Sequence, residues 1–243
     1  MTPAAFRLQV HEALPSTSDL VIRLAETGEP EGLAVLARQQ TAGRGTQGRV
    51  WEGPSGNLHL SVLLRPTEPL RLAPQWGFVA AVALADALLP LLPDPNLLSL
   101  KWPNDLMLGG AKAAGILAET GADGAGGLGW VCIGIGVNLA RAPEVPGRAT
   151  ASLAAMGIVP PVPEEFAVSL LEAIDHRRRQ RQAEGFAPIR AAWLARGPAP
   201  GAHLAIRRRG AEIAGRFAGL ADDGSLLIDT GGRVQSLASG EVA

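Results

Sequence analysis

The sequence predicts an α+β domain with a mixed, mainly antiparallel sheet, followed by a small all-β barrel. Several strand-like segments follow one another without an intervening helix, which argues against a doubly wound fold of alternating strands and helices. From Pro198 onward, short strand-like segments alternate with single or paired glycines, a pattern typical of a small all-β unit. We therefore expect two units, residues 1–197 and residues 198–243.

Caps, alternation and helix breakers predict the individual elements of the first unit. The run 16–19 supplies N-cap residues for a short helix that ends at Gly28. Apolar and polar residues alternate over 58–65, which predicts a strand, and Pro74 opens an alanine-rich helix. Further strands are predicted at 33–38, 97–102, 105–108, 113–119 and 129–139, and further helices at 164–184 and 188–196.

Composition and charge exclude several classes of protein. Hydrophobic residues make up 47% of the 243 residues and charged residues 19%, which favours a globular chain over a disordered one. The formal net charge of −1 gives no basic field for nucleic acid or an anionic membrane. The single cysteine, Cys132, excludes an internal disulfide framework. No apolar run of about 18–20 residues and no signal-peptide pattern is present, so we expect a cytoplasmic protein.

Lysine usage indicates a specific site. Only Lys101 and Lys112 occur among 22 basic residues, and they lie close together in the chain. An ammonium is a compact point charge on a thin stem, and it can enter a narrow pocket beside a carboxylate or phosphate. The alternative is that two neighbouring lysines were retained by chance.

A second segment, residues 41–56, is rich in glycine and polar residues and is predicted to be a loop. Its run 43–51 reads Gly-Arg-Gly-Thr-Gln-Gly-Arg-Val-Trp. Glycines allow a backbone to approach a ligand, and arginines hold phosphate or carboxylate through paired hydrogen bonds. The run is neither a P-loop nor a dinucleotide fingerprint, because no Gly-Lys-Ser/Thr follows and a strand, not a helix, comes next. The alternative is an ordinary mobile surface loop.

The run from Lys101 to Asp105 places a cation, an aromatic ring, an amide and a carboxylate within five residues at a strand bend. Asn104 or Asp105 is a candidate to hold Mg²⁺ or a sugar hydroxyl. Simple turn chemistry for these two residues, and core packing for Trp102, are the alternatives.

Together these segments resemble the biotin protein ligases. The resemblance covers essentially the whole chain, because Ser16-Thr17-Ser18 and Gly240-Glu241 also fit the family pattern. The matching motifs are Gly-Arg-Gly-x-x-Gly-Arg-x-Trp at 43–51, Gly-Asn-Leu at 56–58, Lys-Trp-Pro-Asn-Asp at 101–105, Lys-x-Ala-Gly-Ile-Leu-x-Glu at 112–119 and Gly-Ile-Gly-Val-Asn at 134–138.

The resemblance implies a class II aminoacyl-tRNA synthetase/biotin ligase-like mixed sheet with flanking helices and an SH3-like C-terminal β-barrel. It also implies an ATP-dependent reaction in two steps. The biotin carboxylate attacks the α-phosphate of MgATP, giving biotinyl-5′-AMP and pyrophosphate. A lysine amine on the biotin carboxyl carrier domain of acetyl-CoA carboxylase or a related carboxylase then attacks the mixed anhydride and releases AMP.

The resemblance assigns four catalytic residues. Because the first step joins two anions, positioned cations must offset their repulsion. Lys112 is expected at the biotin carboxylate and α-phosphate, Arg44 between these groups, and Arg49 at the leaving pyrophosphate. Asp105 is expected to orient the incoming amine or to bind Mg²⁺.

Two binding sites follow from the same resemblance. The ureido head of biotin needs polar partners, whereas its ring and valeryl chain need apolar walls. The predicted biotin site comprises Ser16, Thr17, Ser18, Gln40, Gly43, Arg44, Thr46, Lys112 and Gly115. The predicted ATP site comprises Arg49, Trp51, Lys101, Asn104 and Asn138, with Trp51 covering the adenine.

This chain departs from the family pattern in two ways. Many bacterial members carry arginine at the position of Thr46, and that arginine helps to retain the adenylate. Members that repress transcription carry an N-terminal winged helix domain, whereas the ligase pattern here begins near residue 6. We therefore expect a monofunctional ligase that does not bind nucleic acid, as a monomer or a homodimer.

Two alternatives remain open from the sequence. A lipoate ligase or octanoyltransferase shares the expected fold, but its usual Arg-Arg-x-Ser-Gly-Gly-Gly loop is absent. A non-catalytic biotin-binding regulator would be expected to have lost the catalytic lysine, and Lys112 is intact.

Overall fold

The computed structural model describes residues 5–208 and 210–242, which contain two β-sheets and four α-helices. Residues 1–4, Arg209 and Ala243 lie outside this range. The predicted unit boundaries at residues 1 and 243 are therefore outside the described residues. A seven-stranded sheet precedes a five-stranded sheet along the chain, which confirms the predicted α+β domain and C-terminal β unit. The division between residues 197 and 198 stays a prediction.

The larger sheet is mixed and mainly antiparallel, as predicted. Its strands are β1 (Arg7–Leu14), β2 (Leu33–Gln40), β3 (Leu58–Leu64), β4 (Leu98–Lys101), β5 (Asp105–Leu108), β6 (Ala111–Ala122) and β7 (Leu128–Val137). They lie in the order β1-β2-β3-β7-β6-β5-β4. Only β1 and β2 run parallel, and the helix α1 (Thr17–Glu26) crosses between them.

The strand β1 is not predicted by the sequence pattern. Its alternation of apolar and polar residues lasts only from Arg7 to His11, and most of its residues are exposed. Backbone pairing to β2 holds it at the sheet edge, from Arg7 opposite Leu33 to Leu14 opposite Gln40. With α1 it forms one β-α-β unit beside an otherwise antiparallel sheet.

The two faces of the larger sheet carry different side chains, because residues alternate between faces along each strand. On one face, Val62 of β3 lies in the main core with the helices α2 (Gln75–Leu88) and α3 (Pro163–Glu184). On the opposite face α1 covers one end, where Val21 packs in a cluster with Leu63. The other end of this face carries small and polar residues.

The helices α2 and α3 form a layer that α4 (Ala187–Leu194) completes. Phe78 contacts the rings of Phe186 and Trp193 edge to face, with both centroid distances at 5.7 Å. The segment Leu70–Leu91 is long and apolar enough to cross a membrane by length and composition alone, a length that the broken apolar pattern did not predict. Because 61% of its most apolar window is buried inside the protein, we interpret it as a core helix.

The C-terminal sheet consists of short antiparallel strands in the order β11-β10-β9-β8-β12. These are β8 (His203–Arg208), β9 (Ala211–Leu220), β10 (Leu226–Asp229), β11 (Val234–Leu237) and β12 (Glu241–Val242). No pairing of β11 with β12 is found in the described residues, so the expected barrel is not closed there. Trp102 Nε1 donates to the Gly224 carbonyl at 3.3 Å, which ties this sheet to the larger unit.

Arg181 of α3 is joined to Gln75 of α2 by hydrogen bonds and to Glu68, in the segment before α2, by an ion pair. Its guanidinium donates to Glu68 Oε2 at 2.8 Å and to Gln75 Oε1 at 2.6 Å, and it lies 4.5 Å from a Trp76 ring centroid. We expect Arg181→Ala to lower the free energy of unfolding by about 3–5 kcal/mol, because the Glu68 carboxylate would stay buried without its partner. Urea denaturation measures the difference.

Arg179→Ala is the matched control on the same helix. Arg179 pairs with Asp175, but 66% of its side chain is exposed. Its loss should cost less than about 1 kcal/mol. Equal losses in the two variants would show that burial of the Arg181 pair contributes nothing.

Candidate active site

Glycines form the floor of the site at the centre of the open sheet face. Gly115 of β6 pairs with Gly136 of β7, and Gly136 pairs with His59 of β3. The indole of Trp51 lies directly on this floor. A Cβ atom would lie 2.4 Å from the indole at Gly136 and 3.0 Å from it at Gly115. Glycine is therefore required at Gly136, because a side chain there would displace Trp51.

A first cavity lies beside this floor, and hydroxyl groups line one end of it. The hydroxyls of Thr17 and Ser18, at the start of α1, lie 2.7 and 3.0 Å from Ser61 Oγ of β3. Gln40 Oε1 accepts from the backbone nitrogen and the hydroxyl of Thr17, at 2.8 and 3.1 Å. Ser16 caps α1 beside them. This end offers several hydroxyl and amide groups to a polar ligand.

His59 and Ser61 are not among the predicted site residues, although the alternation in β3 predicts a polar face. His59 is buried, and burial lowers its pKa, which favours the neutral ring. Its Nε2 lies 3.2 Å from the Pro54 carbonyl oxygen, which only accepts, so Nε2 carries the proton and Nδ1 is an acceptor. In the part of the chain that the structure describes, Nδ1 has no partner. His59 thus adds an acceptor to the wall of the first cavity.

Lys112 of β6 lies at the other end of the first cavity. Its Nζ is 2.5 Å from Asp105 Oδ1 of β5 and 5.7 Å from the Trp51 ring centroid. Asn104 donates from Nδ2 to the Ile116 carbonyl at 2.7 Å. The ammonium therefore lies beside a carboxylate, within reach of an anion that enters the cavity.

A second cavity of about 350 Å³ lies on the other side of Trp51. Asn138 is buried in its wall and donates from Nδ2 to the Ala151 carbonyl at 3.1 Å. Lys112 and Trp51 line both cavities, so the indole separates them and the ammonium is shared. The apolar part of the second wall consists of Val50, Pro143, Val145 and Pro146.

Arg44, in the loop over the first cavity, is already paired. Its Nε lies 2.7 Å from Asp19 Oδ1, and its two Nη atoms donate to Glu119 at 2.9 and 2.8 Å. The hydrogen bond to Glu119, which outweighs the effect of burial, raises the pKa of Arg44. The guanidinium predicted to bridge two substrate anions therefore has two protein carboxylates as partners.

Arg49, at the other end of the loop, contacts the C-terminal sheet. It donates to both carboxylate oxygens of Glu241 at 2.9 and 3.1 Å, and Arg148 lies 2.6 Å from the same group. Burial opposes the ionisation of Glu241, but the pairs with Arg49 and then Arg148 outweigh it, so the pKa of Glu241 lies below its usual value. Arg49 thus connects the loop to β12.

A third depression extends from Asp105 and Lys112 towards the C-terminal sheet. Lys101, Arg148 and Arg207 add positive charge to its walls. It therefore offers a charged path from the surface to the Lys112–Asp105 pair.

Most predicted site residues are brought together, and three lie apart from the cavity that the rest of their predicted set lines. Asn104, predicted for ATP, lines the first cavity, and Lys101 lines the third depression. Gly43 lines none of the three described cavities. A Cβ atom there would lie 2.4 Å from the Trp51 backbone oxygen, so close packing of the loop requires this glycine.

The candidate Mg²⁺ site at Asp105 stays a prediction. Lys112 occupies one side of this carboxylate, and no group of three or more His, Cys, Asp and Glu side chains converges in residues 5–208 and 210–242. Mg²⁺ is commonly held by substrate phosphates together with one or two carboxylates. The ion is therefore expected to arrive with the nucleotide.

Comparison with known proteins agrees with this geometry. The pattern of the Biotin/lipoate A/B protein ligase family matches residues 10–138, and that of the Biotin protein ligase C terminal domain matches residues 203–243. A biotin–[acetyl-CoA-carboxylase] ligase of Paracoccus denitrificans is 43% identical over 80% of this chain and 82% of its own. One from Mycobacterium tuberculosis is 32% identical over 93% and 84%.

A solved structure of Aquifex aeolicus biotin protein ligase in complex with biotin and ATP superposes with a TM-score of 0.81 at 27% identity. The match covers 98% of this chain and 97% of that one. The resemblance found in the motifs therefore extends to the arrangement of both units. The chain belongs to the biotin protein ligases of the Biotin/lipoate A/B protein ligase family.

Proposed function

We infer that the protein is an ATP-dependent ligase that activates biotin as biotinyl-5′-AMP and transfers it to a lysine of a biotin carboxyl carrier protein. The observation that carries this inference is the meeting of two cavities at Trp51 and Lys112. One cavity ends in hydroxyl and amide groups that suit a cyclic urea. The other has an aromatic wall at Trp51 and apolar walls from valines and prolines, and it suits a purine.

In the first step, a carboxylate oxygen of biotin bonds to the α-phosphorus of ATP, and the bond to pyrophosphate breaks. The ureido head binds Thr17, Ser18, Ser61 and Gln40, and the valeryl chain passes Trp51. Lys112 is shared by both cavities, so its ammonium offsets the repulsion between the two anions. To do so, the Lys112 ammonium must exchange its contact with Asp105 for contacts with the two substrates.

In the second step, a lysine amine of the carrier attacks the mixed anhydride, an amide forms and AMP leaves. The third depression provides a path to Lys112 and Asp105. Asp105 orients the incoming amine, because its carboxylate is the acceptor at the inner end of that path. Positive charge on Lys101, Arg148 and Arg207 suits the phosphates that gather at the same opening.

Several parts of this proposal rest on the family and the sequence alone. The acceptor is the carrier domain of acetyl-CoA carboxylase or a related carboxylase, the location is the cytoplasm, and Mg²⁺ enters with ATP. Residues 1–197 are the catalytic unit, and residues 198–243 are the C-terminal unit.

The second candidate is a lipoate or octanoate ligase of the same fold. The hydroxyl and amide groups around Ser61 favour biotin, because an octanoyl chain or a dithiolane ring offers them no matching polar group. The deciding experiment is ATP–pyrophosphate exchange with each acid, followed by the mass gain of a carrier domain. Exchange with lipoate or octanoate alone would favour the second candidate. No exchange with any acid would favour a non-catalytic biotin-binding protein.

The first functional prediction concerns Lys112. Lys112→Ala should slow adenylate formation by about 10²–10³, because the two anions would lose a positioned charge. Lys112→Arg should also be slow, since a planar fork does not replace a point charge in a narrow site. Single-turnover formation of biotinyl-AMP measures both, and near-normal rates in the alanine variant would disprove the role.

The second prediction concerns Thr46, whose hydroxyl accepts from Arg49 at 3.0 Å. Threonine offers the adenylate phosphate no ionic contact. We expect biotinyl-AMP to dissociate about tenfold faster from the wild type than from Thr46→Arg, which corresponds to one contact of about 1.4 kcal/mol. Gln47→Arg adds the same charge one residue away and is the control. Equal dissociation from wild type and Thr46→Arg would mean that position 46 does not control retention.

The third prediction concerns Glu241. Glu241→Gln should raise the Michaelis constant for ATP about three- to tenfold, because Arg49 would lose its bidentate contact with β12. Biotin binding should change little, since Glu241 does not line the first cavity. Glu212→Gln, which breaks a looser and more exposed contact with Arg207, is the control. Steady-state kinetics with varied ATP would detect the difference, and an unchanged constant would exclude this anchoring role.

A further inference from the structure

We propose that Asp19 and Glu119 are positioning residues: they clamp Arg44 so that the 43–51 loop stays closed over the first cavity and retains the adenylate. The proposal rests on the proposed ligase function for its last step. The clamp itself is a property of the free protein.

The clamp consists of short contacts that involve all three nitrogens of the Arg44 guanidinium. Glu119 accepts from both Nη atoms of Arg44 at 2.9 and 2.8 Å, and Asp19 lies 2.7 Å from Nε. A bidentate contact fixes the plane of the guanidinium, and the third contact fixes its direction. All three side chains are partly exposed, at 39% for Arg44, 48% for Asp19 and 27% for Glu119. Their contribution therefore depends on the network acting together.

The two carboxylates belong to two elements, α1 and β6, that each contribute residues to the lining of the first cavity. Asp19 lies in the first turn of α1, directly after Thr17 and Ser18 in the polar end. Glu119 lies on β6, on the same sheet face as Gly115 in the floor. Arg44 therefore ties the loop to the two elements between which the ligand is expected to lie.

The tip of the loop has few other anchors. The Gly45 nitrogen donates to the Arg49 carbonyl at 2.7 Å, and the Trp51 nitrogen donates to the Gly43 carbonyl at 2.9 Å. Both bonds lie within the loop. In the described residues, the charged anchors from outside are the clamp at Arg44 and the contact of Arg49 with Glu241, in addition to the Trp51 indole packed on the sheet. Loss of the clamp would free one side of the loop.

Removing one carboxylate changes ligand retention in opposite directions, depending on whether the trio acts through its charge or as a clamp. Two carboxylates and one guanidinium carry a net charge of about −1 at neutral pH. If the trio acted only through its field, removing one carboxylate would strengthen the binding of anionic ligands. If it acts as a clamp, the same change would loosen the loop and weaken retention. The two roles therefore predict opposite results.

The test uses Glu119→Gln and Asp19→Asn in the full chain. We expect hydrogen exchange of residues 43–51 in the free protein to accelerate, and biotinyl-AMP to dissociate faster, by about tenfold for Glu119→Gln and about threefold for Asp19→Asn. The single-turnover rate of adenylate formation at saturating biotin should change much less. In the hydrogen-exchange measurement alone, Arg44→Lys should resemble Glu119→Gln, because an ammonium cannot make the bidentate contact.

Glu164→Gln is the matched control. It disrupts a second arginine held by two carboxylates, in which Arg38 contacts Glu164 at 2.7 Å and Glu12 at 2.6 Å. This change should leave loop exchange and dissociation unaltered. Slower dissociation with unchanged loop exchange in Glu119→Gln would overturn the clamp. A wild type that forms no adenylate would refute the proposed function, while the exchange data would still decide whether the clamp exists.

Discussion

The site depends on the opposite chemistry of the two faces of the larger sheet. Strand geometry places successive side chains on alternate faces, so one face can carry the leucines and valines that α2 and α3 cover. The other face then needs no apolar cover beyond α1, and it can carry His59, Ser61 and the glycines of β6 and β7. The buried face supplies the stability that allows the open face to be shaped for ligands.

The indole of Trp51 converts this open face into two cavities. It can lie so close to the sheet only because Gly115 and Gly136 have no side chains. The loop that carries Trp51 is held on one side through Arg44 and on the other through Arg49, whose partner Glu241 lies in the C-terminal sheet. The small β unit therefore contributes to the site through the loop and through the residues that it adds to the third depression.

The sequence predicted the helices, most strands and many of the residues that line the cavities, because these depend on local pattern and on motifs. It did not predict β1, whose formation depends on pairing with β2. The sequence also did not predict the partners of Arg44. Asp19 and Glu119 are distant from it along the chain, and only the fold brings the three side chains together. His59 lay on the predicted polar face, but alternation alone does not show which polar residue faces a cavity.

The scarcity of lysine has a consequence for a protein that makes an acylating product. Biotinyl-AMP reacts with amines and not with guanidiniums, and arginine carries almost all of the basic charge of this chain. Both lysines line the cavities or the depression next to them. The outer surface thus gives the reagent few nucleophiles, and the composition of the chain protects it from modification by its own intermediate.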